Sequence, residues 1–174
     1  VTGCATAITE EITQPDSLLL SSPITTDPRC FGTCTGSITA VVFGGTLPYD
    51  FNWQSLSDST SLADSLCAGT FTLTVTDKNG CEVQQTTVLT DPSPIVSLGI
   101  VTNASCSSVP NGGIDVTVNG GNPDYTYQWI EGSSAITEDL NAIYFGDYTL
   151  LITDSLLCTD TISFSVGTTD TVIS

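Results

Sequence analysis

An internal repeat of 77 residues is the feature that most limits what this chain can fold into. Three cysteines follow one another at intervals of 77 residues: Cys4, Cys81 and Cys158. The stretch 69–77 recurs as 146–154 in the same register. A repeat of this length is long enough to fold as a small domain with a core of its own. We therefore expect four parts: the C-terminal strand of a preceding repeat (1–13), a first full repeat (14–90), a second full repeat (91–168) and the start of a following repeat (169–174).

Each repeat has the residue alternation of β-strands. Phe71, Leu73 and Val75 alternate with threonines, which places one set in a core and the other towards water. The sequence Asp-Lys-Asn-Gly at 77–80 is typical of a hairpin turn between two such runs. Trp53 and Trp129 occupy equivalent positions within predicted strands, so we expect both in the core. The predicted fold is all-β, with tandem small immunoglobulin-like β-sandwich repeats of about 77 residues, stapled by disulfides.

The charge of the chain excludes two classes of partner. Nineteen Asp and Glu residues stand against two Lys and Arg residues, which gives a formal net charge of −17. Like charge repels nucleic acid and anionic membrane, and no basic patch offsets the repulsion. No apolar run approaches the length of a membrane span. Divalent cations, basic proteins and neutral sugars remain open as partners.

Seven cysteines without histidine or methionine indicate disulfides formed in an oxidising compartment rather than a zinc site, because no CxxC pair exists. Cys30 and Cys81 recur at the repeat spacing as Cys106 and Cys158, so we expect the pairs Cys30–Cys81 and Cys106–Cys158. Cys34 and Cys67 occur together in the first repeat. Both are missing from the second, where Pro110 and Tyr144 replace them, so a Cys34–Cys67 bridge is expected. The partner of Cys4 is then expected outside the segment.

Catalytic chemistry and cofactors are not expected. Without histidine and with a single lysine, no base is available to activate a serine or cysteine nucleophile. We predict no catalytic, cofactor-binding or metal-binding residues. The turn beginning at Asp77 faintly resembles a calcium loop, but no set of oxygen ligands at fixed offsets accompanies it, and a plain β-turn is favoured.

Aspartate followed by serine or threonine and then a small or apolar residue is more frequent than composition predicts. The pattern resembles the O-glycosylation site of secreted proteins of the Bacteroidetes. The hydroxyl residues concerned are Ser17, Ser59, Ser65, Ser155, Thr161 and Thr171. Asp-Ser and Asp-Thr pairs are also ordinary turn formers, so both interpretations remain open.

The first repeat contains GSITA at 36–40, GGTLPYDFNW at 44–53 and LCAGTFTLTVTDKNGC at 66–81. Through these motifs residues 30–81 resemble the SprB repeat, and the resemblance extends more loosely over the second repeat. SprB repeats occur in very long surface adhesins of gliding Bacteroidetes and in other giant surface proteins. The resemblance implies an immunoglobulin-like module, an extracellular location on the cell surface, export by a dedicated secretion system and a role in adhesion, with gliding motility as one use.

The expected function is therefore that of a structural and adhesive repeat in a long surface filament. The expected partners are neighbouring repeats of the same chain, surface polysaccharide or other adhesin chains. The alternative is a carbohydrate-binding accessory module of a secreted multidomain protein, which an exposed planar array of aromatic side chains would favour.

Overall fold

The computed structural model describes residue 3, residues 9–10 and residues 13–169. These residues divide into two compact units. The first consists of the described residues up to Thr26 together with Ser37–Ser65 and Gly69–Leu89. The second consists of Asp27–Gly36, Leu66–Ala68 and the described residues from Thr90 onward. The second unit thus includes a loop that belongs, in sequence, to the first repeat. Within the described residues, no helix has the length and apolar character needed to cross a membrane.

Short strands account for the regular structure of the first repeat. Its strands are β1 (Leu19–Leu20), β2 (Ile24–Thr26), β3 (Gly36–Thr39), β4 (Val42–Phe43), β5 (Asp50–Trp53), β6 (Leu62–Leu66), β7 (Gly69–Thr76) and β8 (Glu82–Leu89). They form sheets in the orders β2-β3-β6 and β5-β7-β8, with β1 pairing separately with β4. The buried apolar residues of these strands include Ile38, Trp53, Leu73, Val75 and Leu89.

The second repeat has the same arrangement with fewer breaks. Its strands are β9 (Val96–Thr102), β10 (Gly112–Asn119), β11 (Thr126–Glu131), β12 (Leu140–Ile143), β13 (Gly146–Thr153) and β14 (Thr159–Val166). Two three-stranded sheets result, in the orders β12-β10-β9 and β11-β13-β14. One cluster of buried side chains draws on both sheets: Ile114, Val116, Trp129, Leu140, Tyr148, Leu150, Ile152 and Val166. A core shared by two facing sheets defines a β-sandwich.

The strand order in both repeats is that of an immunoglobulin fold. The six main strands of the second repeat correspond to A, B, C, E, F and G, with A-B-E in one sheet and C-F-G in the other, and D absent. Trp129 lies on the C strand with 1% of its surface exposed, and its indole N–H donates to the carbonyl of Thr137 at 2.9 Å. The hydroxyl of Tyr148, near the start of the F strand, donates to the carbonyl of Tyr144 at 2.9 Å. A buried tryptophan on strand C and a tyrosine corner are both features of this fold. The predicted fold class is confirmed.

The two tryptophans are core residues, as predicted. Trp53 is 2% exposed and donates its indole N–H to the carbonyl of Thr60 at 2.9 Å, which matches the arrangement of Trp129 in the second repeat. The hydrogen bond satisfies the polar end of each ring, so the side chain can be buried without an unpaired donor.

A glycine pair at equivalent points of the two repeats has a steric cause. Gly44 and Gly120 both adopt a positive φ, and a Cβ atom at either position would collide with a backbone carbonyl oxygen, that of Ser17 or of Pro94. The following tyrosines, Tyr49 and Tyr125, donate their hydroxyls to the carbonyls of those same glycines. Only glycine lets the chain approach this closely, which explains why glycine recurs at this position in both repeats.

Candidate functional site

The segment Asp27–Gly36, named here the cysteine loop, runs from the end of β2 to the first residue of β3 and carries Cys30 and Cys34. A tight turn holds its tip, because Thr33 donates both its backbone N–H and its hydroxyl to the carbonyl of Cys30, at 3.1 and 2.8 Å. At its base, the backbone N–H of Arg29 donates to the hydroxyl of Thr35 at 2.8 Å. These hydrogen bonds tie the backbone on both sides of Cys30 within the loop and hold the sulfur at a defined place.

The turn Asp154–Cys158 between β13 and β14, named here the cysteine hairpin, is built around one buried carboxylate. Asp154 is 3% exposed. Its Oδ1 accepts from the backbone N–H groups of Leu156 and Cys158, and its Oδ2 accepts from that of Asn122, each at 2.9 Å. Burial raises the pKa of Asp154, but these backbone hydrogen bonds outweigh burial and hold the pKa below its usual value of 3.8. The carboxylate therefore acts as the internal cap of the hairpin.

A disulfide joins the cysteine loop to the cysteine hairpin. Cys30 and Cys158 are bridged with a Cα–Cα distance of 5.6 Å, across 128 residues of sequence, and both lie in the second unit. Two further contacts fix the loop there. The N–H of Thr90 donates to Oδ1 of Asp27 at 2.9 Å, and the N–H of Gly32 donates to Oδ2 of Asp91 at 3.2 Å. A loop from one sequence repeat and a hairpin from the next thus share one covalent bond.

This bond corrects two predicted pairs. Cys30 is joined to Cys158 and not to Cys81, so the Cys106–Cys158 pair does not form either, and Cys81 and Cys106 are free thiols. The physical reason is the length of a strand. Cys67 precedes β7 and Cys81 follows it, and eight residues of strand span about 26 Å. Because the cysteine loop is tied to Cys67, it lies at the end of β7 far from Cys81.

The Cys34–Cys67 bridge expected from the joint loss of both cysteines in the second repeat is present. It connects the chain just before β3 to the chain just after β6, and these two strands are neighbours in one sheet. The bridge therefore fastens the cysteine loop to the end of that sheet. Cys4, whose partner was predicted outside the segment, lies outside the described residues.

The turn that faintly resembles a calcium loop is closed by hydrogen bonds to its own carboxylate. In the first repeat, Oδ1 of Asp77 accepts from the N–H groups of Asn79 and Cys81, and Oδ2 accepts from that of Thr46, all at 2.9 Å. The carboxylate thus closes a turn, as the β-turn interpretation expects, and the hydrogen bond from Cys81 is the main cause that lowers its pKa. Across the described residues, no three His, Cys, Asp or Glu side chains lie close enough together to hold a metal ion.

The predicted glycosylation sites within the described residues all have exposed side chains: Ser17, Ser59, Ser65, Ser155 and Thr161. Thr171 lies outside the described residues. At Ser155 the preceding aspartate is the buried cap Asp154, so this Asp-Ser pair has a structural role in its turn. Sugar on these hydroxyls stays a prediction.

Comparisons with known proteins identify a family and similar solved structures. The family model described as the SprB repeat matches residues 22–57 and 98–134. No curated protein matches the chain. A solved structure that resembles the chain is the crystal structure of Down Syndrome Cell Adhesion Molecule (DSCAM) isoform 1.30.30, N-terminal eight Ig domains, at 13% identity and a TM-score of 0.42. The likeness covers 89% of this chain and 25% of that one. The predicted resemblance is thus confirmed: each of the two repeats contains a region that matches the SprB repeat family.

Proposed function

We propose that this chain is a structural and adhesive segment of a long secreted surface protein, in which consecutive repeats are fastened to each other covalently. The observation that carries the proposal is the Cys30–Cys158 bridge, because it joins residues of two successive sequence repeats. Under a pulling force, the surface contacts between neighbouring repeats would break first. A disulfide across the repeat boundary resists that separation. Such a bond is of use to a protein that transmits force along its length.

The location follows from the same bonds. Structural disulfides form and persist in oxidising environments outside the cytosol. Two bridges among the described residues, together with a hydroxyl-rich surface of net charge −17, suit an exported protein exposed to water. Extracellular exposure on a cell surface, and adhesion there, are therefore part of the proposal.

The burial of both tryptophans favours this function over the carbohydrate-binding alternative. Planar sugar-binding sites use exposed aromatic faces, whereas Trp53 and Trp129 are 2% and 1% exposed and lie inside the two sandwiches. They stabilise the repeats and are not available as a stacking platform.

Gliding motility is the more specific role that we propose for the parent protein. Deletion of the segment from the gene of a gliding source organism should then reduce colony spreading.

Limited proteolysis of intact source cells tests the proposal. A protease that cannot enter the cells should release peptides of this segment, and mass spectrometry without reduction should find the fragment containing Cys30 linked to the fragment containing Cys158. A cytosolic protein followed in the same digest serves as the control for cell lysis. Recovery of the segment only after lysis, with Cys30 and Cys158 as thiols, would overturn the proposal.

A further inference from the structure

The second repeat contains another cysteine loop, Asn103–Gly112, built on the same scaffold as the first. The N–H of Val109 donates to the carbonyl of Cys106 at 3.2 Å, as Thr33 does to Cys30. The N–H of Ser105 donates to the side-chain oxygen of Asn111 at 2.8 Å, which corresponds to the contact between Arg29 and Thr35. Cys106 is therefore presented as Cys30 is, but its sulfur forms no disulfide within the described residues.

The anchor of this second loop is also repeated. The N–H of Gly167 donates to Oδ1 of Asn103 at 2.9 Å, which matches the bond from Thr90 to Asp27 in the first loop. One contact differs, since the position of Asp91 is taken by Thr168, which instead forms a β-bridge with Ala104. The second loop is thus fixed at its base by backbone pairing as well as by the repeated anchor.

The first repeat contains another cysteine hairpin, Asp77–Cys81. Asp77 caps it with the same three backbone hydrogen bonds as Asp154, and the N–H of Asp77 donates to the carbonyl of Cys81 at 2.9 Å, as Asp154 does to Cys158. Cys81 is exposed and free. The chain thus presents a second loop and a second hairpin of the kinds that the Cys30–Cys158 bridge joins.

Cys106 and Cys81 cannot satisfy each other in the manner of the existing bridge. The observed bond runs from the loop of one repeat to the hairpin of the repeat that follows it in sequence. Cys106 belongs to the loop of the second repeat and Cys81 to the hairpin of the first, so the order in the chain is reversed. Each thiol therefore needs a repeat supplied by another molecule or by another part of a longer array.

We propose that Cys106 and Cys81 are the two halves of a further inter-repeat disulfide, and that copies of this chain link head to tail through them. A low-molecular-weight disulfide such as oxidised glutathione supplies the oxidising equivalents. One thiolate attacks it and forms a mixed disulfide with release of one glutathione thiol, and the second thiolate displaces the other glutathione. The products are one Cys106–Cys81 bond and two reduced glutathione molecules. A contact that joins two different patches in this way grows into open chains.

Complementary variants test the proposal in a Cys4→Ser background. This substitution removes the remaining cysteine, which lies outside the described residues. Cys81→Ser retains only the Cys106 thiol and Cys106→Ser retains only the Cys81 thiol, so neither can extend a chain. In glutathione redox buffer the parent should give a ladder of oligomers on non-reducing gels. An equimolar mixture of the two variants should give a single heterodimer, on the order of tenfold more abundant than the dimer of either variant alone, because docking raises the effective thiol concentration.

Mass spectrometry of the unreduced heterodimer should identify one peptide pair containing Cys106 and Cys81, and the Cys30–Cys158 bridge of each variant, mapped in the same digest, verifies folding. Three outcomes overturn the inference: a mixture that stays monomeric while that bridge is intact, dimers of the single variants as abundant as the heterodimer, or a parent chain that never exceeds the monomer.

Discussion

The buried carboxylate of Asp154 ties the stability of the cysteine hairpin to pH. Its pKa lies below 3.8 in the folded protein, because backbone hydrogen bonds to the carboxylate outweigh the effect of burial. A carboxyl with a lowered folded pKa contributes stability that is fully present above its unfolded pKa and is lost as the pH falls through the folded value. The contribution of Asp154 should therefore be constant at neutral pH and should decline only below about pH 4.

We predict that Asp154→Asn lowers the free energy of unfolding by about 2 kcal/mol at neutral pH, since hydrogen bonds to a charged acceptor are lost. The difference from the parent should shrink as the pH falls below about 4, because the parent then loses its own contribution. Denaturant titrations over a series of pH values measure both effects. Asp147→Asn, at an exposed position of β13, is the control and should stay within about 0.5 kcal/mol of the parent at every pH. A pH-independent difference for Asp154→Asn would contradict the assignment.

Leu157 and Gly80 occupy the same turn position with different backbone costs. Both have a positive φ, 65° for Leu157 and 81° for Gly80, and the leucine side chain is 71% exposed. A left-handed conformation costs a residue with a Cβ atom about 1 kcal/mol, and an exposed side chain returns little through packing.

We predict that Leu157→Gly stabilises the protein by about 0.5 kcal/mol, after part of the gain is offset by the greater unfolded-state freedom of glycine. The reciprocal Gly80→Leu should destabilise by a similar amount, because a Cβ there meets no atom within 4 Å and only the backbone conformation is at issue. Thermal denaturation of the two variants side by side measures the difference. Melting temperatures that move in the same direction for both would contradict the explanation.

At the scale of strands and turns, much of the fold could be predicted because local rules and tertiary packing agree. The alternation in β7 and β13 places Leu73, Val75, Leu150 and Ile152 in the cores. The Asp-Lys-Asn-Gly turn is where the sequence places it. The breaks between β1 and β2 and between β3 and β4 were not predicted. They divide strands that are continuous in the second repeat, and their short apolar runs carry no signal for where pairing stops.

The C strand of the second repeat provides a prediction with its control on the adjacent residue. Trp129 packs edge to face on Tyr148 at a centroid distance of 6.4 Å, whereas Ile130 points outward and is 54% exposed. Trp129→Ala should cost about 3 to 5 kcal/mol through the cavity it leaves, and Ile130→Ala about 0.5 kcal/mol or less. Denaturation followed by circular dichroism distinguishes them. Equal costs would mean that the register of β11 is shifted by one residue.

At the scale of the whole chain, the spacing of the cysteines in the sequence could not predict which cysteine pairs with Cys30. The entropy of closing a loop grows only slowly with its length, so a bridge across 128 residues and one across 51 differ by under about 1 kcal/mol. Loop length therefore gives no means to choose between Cys81 and Cys158 as the partner of Cys30. Strand length does. Cys30 lies four residues from Cys34, and the pairing of Cys34 with Cys67 places β7 between Cys30 and Cys81. The predicted Cys30–Cys81 and Cys34–Cys67 bridges could therefore not both form.

Removing the long-range bridge should weaken the protein more than removing a free thiol. The chain-entropy model assigns a bridge across 128 residues about 4 to 5 kcal/mol, so Cys30→Ser should lower the melting temperature by many degrees. Cys81→Ser, compared with the parent as monomers, is the matched control, because that exposed thiol forms no disulfide within the described residues, and it should change the melting temperature far less. Calorimetry under non-reducing conditions measures both. Addition of a reductant should bring the parent to the level of Cys30→Ser or below it, and insensitivity of the parent to reductant would contradict the assignment.

The repetition of the loop and hairpin scaffolds has a consequence for how the gene can change in length. Insertion or deletion of one whole 77-residue unit by unequal recombination would leave every interior loop followed by a hairpin that carries the matching cysteine. An insertion or deletion of part of a unit would leave one sulfur unmatched inside the array. Selection for full oxidation would then tolerate length variation in whole units and remove the rest. Such genes should differ between strains by multiples of about 231 nucleotides, three for each of the 77 residues of the unit.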